Sequence, residues 1–205
     1  MIEWLLDILH AMHNPGSPRV HRADVKLTQY KTINMDDYAP EGLMNIPVRD
    51  GERTMLLAAP RQFVDDLRLE GMGKTRSGMI GYDARGFTLM DAKVFPWGAG
   101  VSDLPLVPYL TCATDPKVIP TGSRLSIPVL SGLSMPDGTI HPGILTAVDT
   151  GAAIKGWHID WFVGDATSYQ KTNAMMTALG HDGDKTIDRS KRVTVTWVEP
   201  DATPS

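Results

Sequence analysis

With a single cysteine, Cys112, among its 205 residues, the chain has no internal disulfide and no zinc site built on several thiolates. Charge of either sign is also scarce. Twenty Lys and Arg against 24 Asp and Glu leave a net charge of -4, so there is no basic surplus to grip a polyanion, and nucleic acid is not an expected partner. At 21% charged and 42% apolar residues the composition is that of a folded chain, not a disordered one. No run approaches the ~20 apolar residues that span a bilayer, so no integral membrane segment is expected. Internal repeats and low-complexity segments are lacking too. What remains is enough sequence for one substantial core, somewhat more than a minimal barrel requires.

Ile2, Leu5, Leu6, Leu9 and Met12 recur at helical spacing. They predict a short amphipathic helix packed on the body of the protein or on a partner chain. Glu3 and Asp7 interrupt this segment, no basic stretch precedes it, and no small-residue cleavage site follows, so it does not read as a classical secretory signal. Asn14-Pro15-Gly16-Ser17-Pro18 cannot continue a helix. The expected division is therefore an N-terminal helix and linker over 1–25, one domain over 26–199, and a tail over 200–205. Within the domain, β-branched and aromatic runs punctuated by Gly and Pro predict strands over 54–58, 79–83, 88–94, 124–129, 144–149, 158–163 and 192–198. Helical spacing over 60–69 and 168–179 adds two peripheral helices. So many short strands in about 150 residues point to a closed or nearly closed barrel.

The stretch over 111–164 carries the chemistry. It holds Asp115-Pro116, then Val118-Ile119-Pro120-Thr121-Gly122-Ser123-Arg124-Leu125, then Asp149-Thr150-Gly151-Ala152-Ala153-Ile154-Lys155-Gly156 and finally His158-Ile159-Asp160-Trp161-Phe162. A carboxylate closes one apolar strand, a glycine-bearing turn and a lysine follow, and a second carboxylate lies inside the next strand. Asp160 sits among residues that favour burial, and desolvation raises a carboxyl group toward a usable general acid. The alternative for any single aspartate is a turn cap or an acceptor for backbone amides.

Together these residues resemble the three-aspartate (3D) domain of the membrane-bound lytic transglycosylase A family and its spore and phage relatives. Asp115, Asp149 and Asp160 stand at the three aspartate positions, and 193–198 resembles the closing strand. The resemblance implies a mainly β fold, a double-psi β-barrel whose crossed loops bring the motif to one groove. A weaker likeness lies in Leu67-Arg68-Leu69-Glu70-Gly71-Met72-Gly73, where some phage-associated relatives carry a glutamate; a plain turn is the competing reading. Ala152 departs from the pattern, standing where the family has glycine.

What the resemblance implies is cleavage of the bond between N-acetylmuramic acid and N-acetylglucosamine in peptidoglycan. The sugar's own 6-hydroxyl attacks and leaves a 1,6-anhydro product, so one group that first donates and then accepts a proton suffices. Ordinary glycosidases need two carboxylates. By the resemblance Asp160 is that group, and Asp149 orients the substrate or stabilises the developing positive charge. Asp115, Glu70, Lys155, Thr150, Trp97 and Trp157 are candidate substrate contacts, with aromatic faces offered to sugar rings. Strand alternation puts Trp157 and Trp161 on one face and Asp160 with His158 on the other, which makes Trp161 a core candidate. The sequence from His181 to Asp184 lacks the acidic spacing of a calcium loop, and no metal or other cofactor is expected.

The competing classes are a glycan-binding barrel without activity, a virion structural barrel, and a hydrolytic muramidase using Glu70 to activate water. Glycan strands are the expected partner. A cell-wall substrate without a classical signal suggests release by lysis or a holin, or delivery in a phage particle.

Overall fold

A computed structural model describes residues 19–181 and 192–200. The helix expected over the first residues, the tail after 200 and all of the 181–184 loop but His181 lie outside the described residues. In chain order the elements are β1 (Val20–Tyr30), β2 (Ile33–Asn34), β3 (Met44–Asp50), β4 (Arg53–Ala59), α1 (Arg61–Glu70), β5 (Met72–Thr75), β6 (Gly78–Asp83) and β7 (Gly86–Met90). There follow β8 (Thr111–Thr114), β9 (Arg124–Ser126), β10 (Ile144–Asp149), β11 (His158–Phe162), α2 (Ala166–Ala178) and β12 (Val193–Val198).

Six strands close a barrel in the order β1-β11-β8-β10-β9-β12, as the mainly β barrel expectation requires. β1 is long enough to serve two neighbours. Its first half, from Val20 to Val25, pairs antiparallel with β12, and its second half, from Lys26 to Tyr30, pairs parallel with β11. Alternation sends Val25, Leu27, Cys112, Ile159 and Trp161 into the barrel core, where Trp161 is fully buried.

Residues 33–90 form a second six-stranded sheet, β2-β5-β6-β7-β3-β4, with α1 packed against it. Phe63, Val64 and Leu67 make the apolar stripe of that helix and bury against Ile46, Val48 and Ile80. Gly71 ends α1 in the left-handed conformation, φ 80°, and its amide donates to the Leu67 carbonyl, so the chain reverses into β5 immediately after Glu70. A third apolar cluster joins the sheets. Tyr30, Ala113, Val148 and Phe162 from the outer barrel wall meet Met72 of the second sheet, with Leu106, Ile154 and Trp97 from the connecting loops.

Several element ends differ from expectation. Residues 20–25, read as linker, belong to β1. β7 stops at Met90, four residues early, because the Asp91 side chain accepts from the Lys93 amide and starts a turn. β9 stops at Ser126 because Pro128, with no N–H to give a ladder, opens a single 3-10 turn instead.

Candidate active site

The site is one row of cross-strand partners on the outer barrel wall. Thr28 on β1 pairs with Asp160 on β11, Asp160 pairs with Ala113 on β8, and Ala113 pairs with Asp149 on β10. The two aspartates therefore stand two strand spacings apart, about 10 Å between Cα atoms, with only a methyl group between them. Simple alternation would not achieve this. The ladder between β8 and β10 slips at Val148, and that bulge turns Val148 and Asp149 to the same outer face. Gly100 makes room for it, since a Cβ there would collide with the Val148 carbonyl.

β1 supplies a hydroxyl to each carboxylate from alternate positions. Thr28 donates to Asp160 Oδ1 at 2.5 Å, and Tyr30 donates to Asp149 Oδ2 at 3.0 Å. Asp149 also accepts the Thr150 amide at 2.8 Å. His158 lies beside Asp160 on this face, its Nε2 2.8 Å from Thr28 Oγ1. Glu70, at the last position of α1, accepts from Lys31 Nζ at 2.5 Å and from the Lys31 amide at 3.2 Å. A carboxylate is disfavoured at a helix C-terminus, and the Lys31 cation offsets that penalty.

These surroundings separate the two acids. Burial pushes Asp160 up to about 7; the Thr28 bond opposes the rise, Glu70 and Asp149 add to it, and Lys26 opposes it. Burial also raises Asp149, but the Thr150 amide and the Tyr30 hydroxyl both favour its charged form. Burial and the two aspartates raise Tyr30, so its phenol keeps the proton it donates.

The other candidates are distributed around this row. Trp97 is part-buried beside Phe162, ring centroids 6.3 Å apart, and its carbonyl accepts from Thr32. Thr150 is exposed at the strand end. Lys155 is exposed and donates to the Gly151 carbonyl at 3.3 Å, across the loop that also carries the exposed Ala152. Asp115 gives one oxygen to the Lys117 amide at 3.1 Å and the other to the Gly156 amide at 2.8 Å, so it ties the far end of that loop to the end of β8. Trp157 lies on the opposite face from Asp160, half exposed, its ring 5.8 Å from that of Trp197. Among the described residues no three His, Cys, Asp or Glu are gathered as metal ligands.

Thr28, Tyr30 and Lys31 are site residues that the sequence reading did not find. The signal was the alternation of Val25 and Leu27 with Lys26, Thr28 and Tyr30, obscured by the polar residues on both faces of the first half of β1.

A sequence model of the 3D domain matches residues 110–177, the segment from β8 to α2 that holds both aspartates. Over 67 residues the chain is 36% identical to the membrane-bound lytic murein transglycosylase A of Escherichia coli K12; the match covers 32% of this chain and 18% of that protein. In three dimensions it resembles the crystal structure of E. coli MltA with bound chitohexaose, with a TM-score of 0.50 at 15% identity over 86% of this chain and 72% of the other. The likeness in structure concerns the fold. The aligned sequence spans under a fifth of the E. coli protein's length.

Proposed function

We propose, from the premise that residues 110–177 are a 3D domain, that this protein is a peptidoglycan lytic transglycosylase acting on the β-1,4 bond between N-acetylmuramic acid and N-acetylglucosamine. One observation carries the reading. Asp160 is a half-buried carboxyl group that its surroundings push up to about 7, and in its row of strand partners the next aspartate, Asp149, stands beyond Ala113. A single acid in that state meets the requirement of the reaction.

In this account Asp160 gives its proton to the glycosidic oxygen as the bond to C1 of the muramic acid breaks. The 6-hydroxyl of the same sugar then closes on C1, and its proton passes to the Asp160 carboxylate, which restores the acid. Intramolecular attack has a large effective molarity, so no water needs to be positioned. Asp149, held toward its charged form by Tyr30 and Thr150, is placed to stabilise the oxocarbenium-like charge. Trp97 offers a sugar platform beside the row, and Asp115 with Lys155 holds the loop that follows Asp149. Trp157, on the other face, is assigned no contact with the cleaved bond.

Hydrolysis through Glu70 is the second reading, favoured by its electrostatic effect on Asp160 and by Lys31, which keeps Glu70 in place. Asp160→Asn tests the assignment of the acid. The amide is nearly isosteric and can neither give nor take the proton, so release of soluble fragments from sacculi should fall at least 100-fold, an order-of-magnitude figure for a general acid. The variant should also be more stable than the wild type above pH 7. A carboxyl group raised in the folded state loses its stabilising contribution as pH rises through its folded value, and asparagine has none to lose; the gain is on the order of 2 kcal/mol. Retention of more than about a tenth of wild-type turnover would end the assignment.

A further inference from the structure

Thr28 Oγ1 sits between two groups that both want its proton. Asp160 Oδ1 lies 2.5 Å away on one side and His158 Nε2 2.8 Å away on the other. A hydroxyl has one hydrogen, so it donates to one neighbour and accepts from the other. While Asp160 is ionised, Thr28 must donate to the carboxylate, and His158 must then present Nε2–H to the hydroxyl oxygen. While Asp160 is protonated, its own O–H can donate to Thr28, and Thr28 donates to a bare Nε2. The imidazole proton then belongs on Nδ1, the nitrogen turned away from Thr28, and the ring also has a backbone partner at Ala153 that favours its protonation.

We propose that Thr28 and His158 are positioning residues that follow the charge of Asp160, the neutral imidazole carrying its proton on Nε2 while Asp160 is ionised and on Nδ1 while Asp160 is protonated. This rests on Asp160 being the proton donor of the reaction proposed above. Its consequence is that the chain from Asp160 through Thr28 to His158 Nε2 stays hydrogen-bonded in both states of the acid, so Asp160 can release and recover a proton without breaking it, while a bond donated by Nδ1 is made only in the protonated state. Burial and the neighbouring Lys26 hold His158 below its ordinary value against the opposing backbone bond at Ala153, which favours the neutral ring while Asp160 ionises. The charged and titratable groups around the pair are Lys26 and Tyr30 on β1, Cys112 on β8, Asp149 on β10 and Glu70 at the end of α1. Cys112 is a buried thiol raised far above neutrality and does not titrate in the working range.

The test is nitrogen-15 NMR of the His158 ring, followed with the Asp160 carboxyl carbon through a pH titration of the intact protein. The wild type should show the ring proton moving from Nδ1 to Nε2 at the pH where Asp160 ionises. Asp160→Asn and Thr28→Val should show no movement there. In activity, Thr28→Val should lower kcat by about 10-fold with little change in KM, and Thr28→Ser should restore most of it. A wild-type ring whose proton stays on one nitrogen while Asp160 ionises would overturn the proposal. So would a Thr28→Val enzyme with unchanged kcat. Neither result depends on whether the glycan product is an anhydro sugar, so a failure of the relay is separable from a failure of the proposed reaction.

Discussion

Asp160 and Asp149 are the same residue type in the same row, and their neighbours favour different charge states. Asp160 has one hydroxyl donor; Asp149 has a hydroxyl and a backbone amide. Backbone and hydroxyl donors favour the anion, so Asp149 is the better fixed charge and Asp160 the better acid. The Ala113 spacing also weakens their mutual effect. Among the causes of the raised Asp160, Glu70 stands ahead of Asp149. An order of effects follows. Glu70→Gln removes a negative charge and leaves Lys31 uncompensated, so Asp160 ionises more easily and the alkaline limb of the activity profile moves to lower pH. Asp149→Asn moves the limb the same way but by less. Profiles of kcat/KM against pH for the two variants check this ranking, and a larger shift in Asp149→Asn would contradict it.

At the scale of elements, the site depends on one irregularity. Without the bulge in β10, alternation would send either Val148 or Asp149 inward, and the row from Thr28 to Asp149 would end at Ala113. The loop that reaches Gly100 lies directly against this bulge. Gly100→Ala should therefore push the Val148 carbonyl and move Asp149, lowering kcat by about 10-fold or more for a displacement near 1 Å while Asp160 keeps its surroundings. Kinetics together with the Asp160 titration check this; a lost activity with an equally altered Asp160 value would mean that the whole wall had shifted. β10 and β11 were legible in the sequence because their apolar runs are flanked by glycine turns and their motif is specific. β1 and β8 were not. Thr111-Cys112-Ala113-Thr114 is short and half polar, and it reads as a strand only once both of its neighbours are known. The bulge leaves no mark in Ile144-Leu145-Thr146-Ala147-Val148-Asp149, since it exists only relative to β8.

For the whole molecule, the barrel was legible and the second sheet was not. The strands expected over 54–58, 79–83 and 88–94 belong to that sheet and not to the barrel. Which strands close on which is decided by pairings such as β3 with β7 and β2 with β5, whose partners are tens of residues apart. The second sheet matters to the site because it brings Glu70 to the barrel wall and, through Met72, packs against Tyr30 and Phe162. Glycan would thus lie along a wall with Asp160 and Asp149 on the barrel side and the end of α1 on the other. The most direct test of the central claim, that one acid acts without an activated water, is digestion of purified sacculi in oxygen-18 water with mass spectrometry of the released fragments. The account predicts 1,6-anhydro-muramic acid ends with no oxygen-18 at C1. Reducing ends that carry the label would contradict it and point to hydrolysis through Glu70, and intact sacculi would show that the barrel does not cleave glycan at all.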